Sequence, residues 1–270
     1  MGNSVARSNV QGVCKLCGST ARLCKSHYLG KALYRLSGEY QVNHPVVFTP
    51  KVIAATPRQM WNHLLCEVCE KRFNNYGEAT AIGLLYRGDR FPLLERMRLA
   101  VPISREATVT RFSGRDMGID AERLAYFALS LLWRGSVNVW KTLEGQTTSV
   151  ALGVYEEPIR QYLVGETSFP EDAYVIVTAC IDLGSQCMIL APWEIPVDGG
   201  VYRQFEILTR GLWFRIVLGK EVPAGLSNLC TVHSSKQIMF TMDCTTEILH
   251  AVCHFFDMAE DTVKLERFTR

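Results

Sequence analysis

The pattern of apolar and polar positions separates a cysteine-rich first third of this 270-residue chain from a longer region with helix and strand signals. Its clearest element follows Gly118-Ile119-Asp120, where apolar residues recur at intervals of three and four positions. This spacing predicts a helix over 122–140 with Asp120 as its N-cap. A shorter helix is predicted over 155–164 and a last one over 245–258, whose broad apolar face should dock on a sheet.

Short apolar runs between these helices predict β-strands, because turns rich in Gly, Pro and Ser separate them. The predicted strands are 173–181, 187–190, 204–208, 212–218 and 237–242. Phe91-Pro92 and Val101-Pro102 interrupt the chain earlier, as connections do. We therefore predict an α+β protein with a small module over 1–90, a connection over 91–118 and a larger mixed α+β domain over 119–270.

An arginine ends the apolar stretch of the predicted helix over 122–140. In Ser130-Leu-Leu-Trp-Arg134-Gly135 the guanidinium would be buried, and a buried charge needs a carboxylate or a helix C-terminus as its partner. We interpret Arg134 as a strut between two parts of the chain.

Two C-x-x-C pairs in the first quarter of the chain predict a metal site. Cys14 and Cys17 precede Gly18, and Cys66 and Cys69 open a predicted helix over 67–86. Four thiolates supplied by a knuckle turn and a helix start can converge on one structural zinc ion in a treble-clef-like ββα module. A redox dithiol and the replacement of one ligand by Cys24 remain as alternatives. The later cysteines, Cys180, Cys187, Cys230, Cys244 and Cys253, are predicted to be small core residues.

Hydrophobic residues make up 48% of the chain, which is enough for a sizeable core. An uninterrupted apolar run of membrane-spanning length is missing, and the first residues lack the apolar centre of a secretory signal. With cysteines that suit reduced thiols and a metal site, these features predict a cytoplasmic protein without membrane contact.

The small net charge of +2 conceals an asymmetry along the chain. Residues 1–100 contain fourteen Lys or Arg and six Asp or Glu, a net charge of +8, so the remainder carries −6. A basic first part is suited to contact with the phosphates of DNA or RNA, although a solvated surface with excess Lys and Arg explains the charge as well.

The residues between the cysteine pairs carry a resemblance to a known family. Cys-x-x-Cys-Gly is followed by Ser26-His27 and Lys31, and then by Leu-Leu-Cys-x-x-Cys-Glu at a helix start. This order resembles the HNH, or His-Me finger, endonucleases in their zinc-stapled form. It is closer still to uncharacterised bacterial proteins with the pattern CxLCG…SHxxPK…LLCxxCE…F…E. The resemblance covers residues 14–78.

The resemblance implies a nucleic-acid endonuclease, with an effector in bacterial defence as one setting. His27 would be the general base, and Mg²⁺ or another divalent cation would polarise the scissile phosphate. The implied catalytic set is His27, Asn62 and Glu70, with His63 as an alternative to Asn62 and with Asn74 and Glu78 further along the helix. Ser26, Trp61 and Gly30 depart from the family pattern.

These departures favour a second interpretation, in which the module is inactive and binds nucleic acid or a protein partner. Basic residues could follow a phosphate backbone, and aromatic residues could stack on bases of a single strand. The basic candidates are Arg58, Lys71, Arg72 and Arg87, and the aromatic candidates are Tyr28, Tyr34, Trp61 and Tyr76. A protein partner or an oligomer is compatible with the same surface.

Overall fold

The computed structural model of the protein describes residues 10–35, 46–49, 52–55, 59–86, 89–141, 147–197, 199–233 and 235–258. They form a mixed α+β fold with several sheets, as predicted. The strands are β1 (Gln11–Val13), β2 (Thr20–His27), β3 (Val46–Thr49), β4 (Val52–Ala55), β5 (Trp61–Cys66), β6 (Ser104–Arg105), β7 (Val109–Ser113), β8 (Trp140–Lys141), β9 (Thr147–Thr148), β10 (Ala173–Cys180), β11 (Met188–Ile195), β12 (Arg203–Thr209), β13 (Leu212–Leu218) and β14 (Ile238–Met242). The α-helices are α1 (Lys31–Arg35), α2 (Glu67–Phe73), α3 (Ala79–Leu84), α4 (Pro92–Leu99), α5 (Ala121–Ser136), α6 (Glu156–Val164), α7 (Leu183–Cys187), α8 (Ala224–Ser227) and α9 (Thr245–Met258).

A small antiparallel sheet with the order β1-β2-β5 forms the N-terminal part of the fold. In it Ser26 pairs with Asn62, and His27 pairs with Trp61. Helix α2 begins directly after Cys66, the last residue of β5. The cysteine pairs therefore lie at the same end of this sheet, one before β2 and one at the junction of β5 with α2.

The large sheet has nine strands in the order β4-β3-β11-β12-β13-β10-β14-β7-β6. Successive side chains on its strands point to opposite faces of the sheet, as the two-residue period of a strand requires, and each face packs against an apolar core. On β13, Phe214 and Ile216 face the main core, while Trp213 faces a smaller core that also contains Ile248 of α9. The predicted strands of this region are confirmed, and so is the docking of the last helix on the sheet.

Helix α5 is the centre of the main core. Its residues are buried on all sides from Leu124 to Gly135, so it packs between the large sheet and the N-terminal helices. The carboxylate of Asp120 accepts a hydrogen bond from the Arg123 amide at 3.1 Å, which confirms the predicted N-cap. The helix ends at Ser136 rather than at 140, because the chain enters the short strand β8. None of the helices in the described residues combines the length and apolar character needed to cross a membrane.

Parts of the chain that precede residue 119 also belong to the large sheet. The hairpin β3-β4 pairs in parallel with β11 through Val46 and Met188, and β7 pairs with β14 through Ser113 and Ile238. The segment predicted as a connection, 91–118, thus contains α4, β6 and β7. One contiguous core includes residues from Cys14 to Met239. The domain boundaries stay predictions.

A π-helical turn, Asn74–Glu78, joins α2 to α3 in one continuous helical segment over 67–84. Inside this turn Gly77 lies against α5. A Cβ atom at Gly77 would lie 3.0 Å from both the Cα and the N of Phe127, which are backbone atoms that cannot move aside easily. Gly77 therefore allows the two helices to approach closely.

We expect Gly77→Ala to lower the free energy of unfolding by about 1–3 kcal/mol, because it overpacks a helix contact. Gly83→Ala is the matched control, since a Cβ there meets nothing within 4 Å and should stabilise the helix by about 0.5–1 kcal/mol. Chemical denaturation of both variants measures the difference. Equal effects at the two positions would contradict this account of the helix contact.

Candidate metal centre and the acidic site beside it

Cys14, Cys17, Cys66 and Cys69 lie together, with their four sulfur atoms within 4.8 Å of one another. The sulfur atoms of Cys17 and Cys66 are 3.9 Å apart. A tetrahedral zinc site with Zn–S bonds of about 2.3 Å requires sulfur atoms about 3.8 Å apart, so the arrangement fits such an ion. The four residues could therefore bind a metal ion such as zinc.

The backbone around Cys14 forms a tight knuckle. The Cys14 amide donates to the Ser19 carbonyl at 2.9 Å, and the Gly18 amide donates to the Cys14 carbonyl at 2.9 Å. Gly18 has a φ of 73°, in the left-handed region where glycine is favoured. The Cys66 amide donates to the sulfur of Cys14 at 3.3 Å, which joins the knuckle to the start of α2.

The protonation of the thiols also suits a cation. A hydrogen bond from Cys69 lowers the pKa of Cys14 to about 4, while the same bond raises the pKa of Cys69 far above its usual range. A lowered pKa at Cys14 suits a divalent metal, because thiolates are the species that coordinate it.

Cys24, the alternative ligand, lies on β2 outside this group of four. Burial raises the pKa of its thiol, and the nearby carboxylates of Glu70 and Glu67 raise it further. Because its sulfur atom lies outside the group of four, Cys24 is not positioned to replace one of these ligands.

The π-helical turn brings Glu70 and Glu78 to the same side of their helix. In a regular α-helix, residues eight positions apart diverge by roughly 80°. The turn accommodates one extra residue, so the two carboxylates instead take nearly the relation of residues seven apart, which diverge by about 20°. In agreement, the charge of Glu78 contributes to a raised pKa of Glu70, of which burial is the largest cause.

Ser26, at the position before His27, is buried and holds Glu70. Its hydroxyl donates a short hydrogen bond to the Glu70 carboxylate and accepts one from the Leu65 amide at 3.2 Å. Ser26 thereby fixes the position of this carboxylate against β2 and β5.

Arg134 supplies the positive charge of the site. Its guanidinium donates to the Glu78 carboxylate at 2.7 Å and lies over the ring of Phe73, 4.7 Å from the ring centroid. The side chains of Arg134 and Glu78 are only 2% and 16% exposed. The predicted carboxylate partner of Arg134 is therefore confirmed, and it comes from the N-terminal part.

His27 ends β2 beside this group and is half-buried. Burial lowers the pKa of its imidazole, and the positive charges of Lys31 and Arg134 lower it further. Gly30 follows in the same loop, where a Cβ atom would lie 3.2 Å from the Glu78 carboxyl carbon. The loop after His27 therefore passes closely over Glu78, which explains a residue without a side chain at this position.

Asn62, the third predicted catalytic residue, is engaged elsewhere. Its side-chain amide donates to the Asn138 side chain at 2.9 Å, and its side-chain oxygen accepts from the His63 amide at 2.8 Å. His63, the alternative, has its Nδ1 3.3 Å from the Leu23 carbonyl oxygen. The contacts bring Ser26, Glu70, Glu78 and Arg134 together beside His27, and they direct Asn62 to the loop after α5.

The aromatic residues that are candidates for stacking on bases differ in how far they are buried. Tyr28 is buried and stacks on Trp140 at 5.0 Å, so its ring belongs to the core and is not available to bases. Trp61 is 46% exposed, and the Lys25 ammonium lies 4.2 Å from its ring centroid. Tyr76 is 49% exposed beneath the guanidinium of Arg72.

The basic candidates also differ in their availability. Arg72 donates to the Leu163 carbonyl at 2.7 Å and serves the fold, whereas Lys71 is exposed and pairs with Glu67. Arg58, Arg87 and the side chain of Tyr34 lie outside the described residues. Lys25 beside Trp61 is a contact that the sequence pattern missed, although both residues belong to the strands flanking His27.

No protein-family model, curated protein or solved structure matches this chain.

We expect Cys17→Ser to lose the ion bound by the four cysteines and to unfold at a lower denaturant concentration, since binding a structural metal contributes directly to folding. Cys24→Ser should keep the ion, because this equally half-buried cysteine lies outside the group. Metal content by mass spectrometry and chemical denaturation measure both effects. Loss of the ion in Cys24→Ser as well would refute the assignment of ligands.

We also expect Glu78→Gln to destabilise the protein by about 3–5 kcal/mol, because it leaves the buried guanidinium of Arg134 without its charge partner. Arg90→Met, in an exposed ion pair with Glu95, should have a far smaller effect. Denaturant titrations compare the two. A similar loss in both variants would show that the Arg134–Glu78 pair behaves like a surface pair.

Proposed function

We propose that the chain is an HNH-like endonuclease that hydrolyses phosphodiester bonds of DNA or RNA, with His27 as the general base. The observation that carries the proposal is the half-buried imidazole of His27 at a strand end, beside two carboxylates of the metal-binding helix. Burial keeps this imidazole neutral, which is the form that a base requires. A role as an effector in bacterial defence rests on the resemblance alone.

Zinc is the ion that we propose for the four cysteines. An all-thiolate set suits structural zinc. In this proposal the knuckle, the strands β2 and β5 and the helix α2 would form a treble-clef-like module. In this proposal the ion has a structural role only. It holds β2 against α2, and thereby His27 against Glu70.

Each residue of the site has its own role in the proposed hydrolysis. His27 takes the proton of the attacking water. Glu70 and Glu78 would hold Mg²⁺ or another divalent cation, since carboxylate oxygens suit this ion. When bound, such an ion polarises the scissile phosphate. Ser26 and Arg134 orient the two carboxylates, and Asn62 acts as a positioning residue through Asn138.

Lys25 and Trp61 would bind the substrate. They flank His27 on paired strands, and Trp61 offers an exposed ring that a base could stack on. The ammonium of Lys25 adds a phosphate contact that salt would weaken.

A specific observation favours the alternative, a binding module without catalysis. Glu70 already accepts from Ser26, and Glu78 is already paired with Arg134. If these partners exclude a second cation, the same surface would bind nucleic acid or a protein partner through Lys25 and Trp61.

We expect purified protein to cleave plasmid DNA or RNA with Mg²⁺ or Mn²⁺, and His27→Ala to cleave at least about 100-fold more slowly. Glu70→Gln should be similarly impaired, while Glu67→Gln, an exposed carboxylate of the same helix, and His63→Ala should retain activity. Each preparation should contain the same amount of zinc, which separates loss of chemistry from loss of the fold.

The pH dependence of the cleavage rate distinguishes a catalytic role of His27 from a purely structural one. Protonation of His27 removes the base, and its pKa is lowered from 6.5, so the rate should fall with decreasing pH at a midpoint below 6.5. The endonuclease proposal fails if no preparation cleaves although each retains zinc. If nucleic-acid binding then survives EDTA but weakens in Lys25→Ala, the binding module replaces the endonuclease.

A further inference from the structure

A second cluster of metal-binding side chains lies far along the chain from the first. The sulfur atoms of Cys180 and Cys244 and a carboxylate oxygen of Asp182 lie within 4.8 Å of one another. Cys180 ends β10, and Cys244 immediately precedes α9. The two thiols are 0% and 1% exposed. The prediction that these cysteines are merely small apolar residues therefore overlooks their mutual contact.

The charges around this cluster are negative. The Asp182 carboxylate belongs to the cluster, and the Glu247 carboxylate lies close enough to Cys244 to act on it electrostatically. Buried negative groups without a cation are unfavourable, so they keep their protons or bind a metal ion.

Glu247 is a further carboxylate close to Cys244, outside the group of three side chains. Its Oε2 atom is buried and has no hydrogen-bond partner in the described part of the chain. It lies in the first turn of α9, three positions after Cys244, and residues with this spacing share one side of a helix. A buried carboxylate oxygen without a donor requires an explanation, and a metal ion supplies one.

We propose that Cys180, Cys244, Asp182 and Glu247 bind a second zinc ion, which joins β10 to the start of α9. Two thiolates and two carboxylates form a donor set that zinc accepts in tetrahedral geometry. The ion enters during folding, since the closed cluster is buried.

The hydrogen bonds of Asp182 hold its carboxylate in place for this role. It accepts from the Ser185 amide at 2.7 Å and from the Cys244 amide at 3.0 Å. The Ser185 hydroxyl donates to both carboxylate oxygens as well, at 2.5 Å. Such donors orient a carboxylate ligand. The ion would thus connect three elements, β10, α7 and α9, around the smaller core of Leu190, Trp193 and Ile248.

The test is the zinc content of the reduced full-length protein. We expect about two ions per chain in the wild type and about one in Cys180→Ser/Cys244→Ser. Cys17→Ser should also contain about one, which shows that the two sites load independently. Cys230→Ser, buried elsewhere, and Cys253→Ser, exposed on α9, are matched controls and should keep both ions.

X-ray absorption at the zinc edge keeps the proposal testable if the double variant does not fold. The wild type should show an average of about three sulfur ligands per zinc, whereas an occupied four-cysteine site alone gives about four. An average of four with one zinc per chain would overturn the proposal. So would a disulfide between Cys180 and Cys244 in protein purified under reducing conditions, seen as a mass about 2 Da lower that reductant restores.

Discussion

The positive charge of Arg134, near the C-terminal end of α5, has to be neutralised away from water, and the other residues of the site surround this charge. Arg134 is almost fully buried, and its Nε atom has no hydrogen-bond partner among the described residues. Its charge is met by Glu78, which belongs to the helix that follows the cysteine cluster. An isolated buried guanidinium would cost several kcal/mol, so the contact between the N-terminal helix and α5 cannot loosen without that penalty. The same contact keeps both carboxylates beside His27.

Most of the C-terminal elements could be predicted, because their apolar residues repeat with the period of the structure they form. The strand over 212–218 and the helix over 245–258 match the predicted bounds. The hairpin β3-β4 could not be predicted in the same way. Its partner is β11, more than 130 residues later, and pairing between distant segments leaves no local pattern. The second half of β11 was missed because Pro192 interrupts the predicted run, at a place where the pairing with β12 is irregular.

The candidate site also has parts that could be predicted from the sequence and parts that could not. The four cysteines and the carboxylate partner of Arg134 followed from chemistry that is readable in the sequence: paired thiols at fixed spacing, and a charge in an apolar helix. The alignment of Glu70 with Glu78 could not be predicted in this way, since it depends on a π-helical turn that leaves no periodic pattern in the sequence. The hydrogen bonds of Ser26 to Glu70 and of Asn62 to Asn138 depend on strand register and on a loop after α5. Such contacts are set by tertiary structure, which a single sequence does not encode locally.

The parallel pairing of β3 with β11 has a consequence for the order of folding during synthesis. All four cysteines have emerged once residue 69 is synthesised, so the knuckle, β2, β5 and α2 can assemble early around a metal ion that these cysteines could bind. Strands β3 and β4 lie between these elements in the sequence, yet the partner of β3 in the large sheet begins at Met188. Until then the second edge of β3 is unpaired, and other chains could pair with it. During synthesis the cysteine knuckle can thus close while a strand edge stays open, and only the last third of the chain covers that edge.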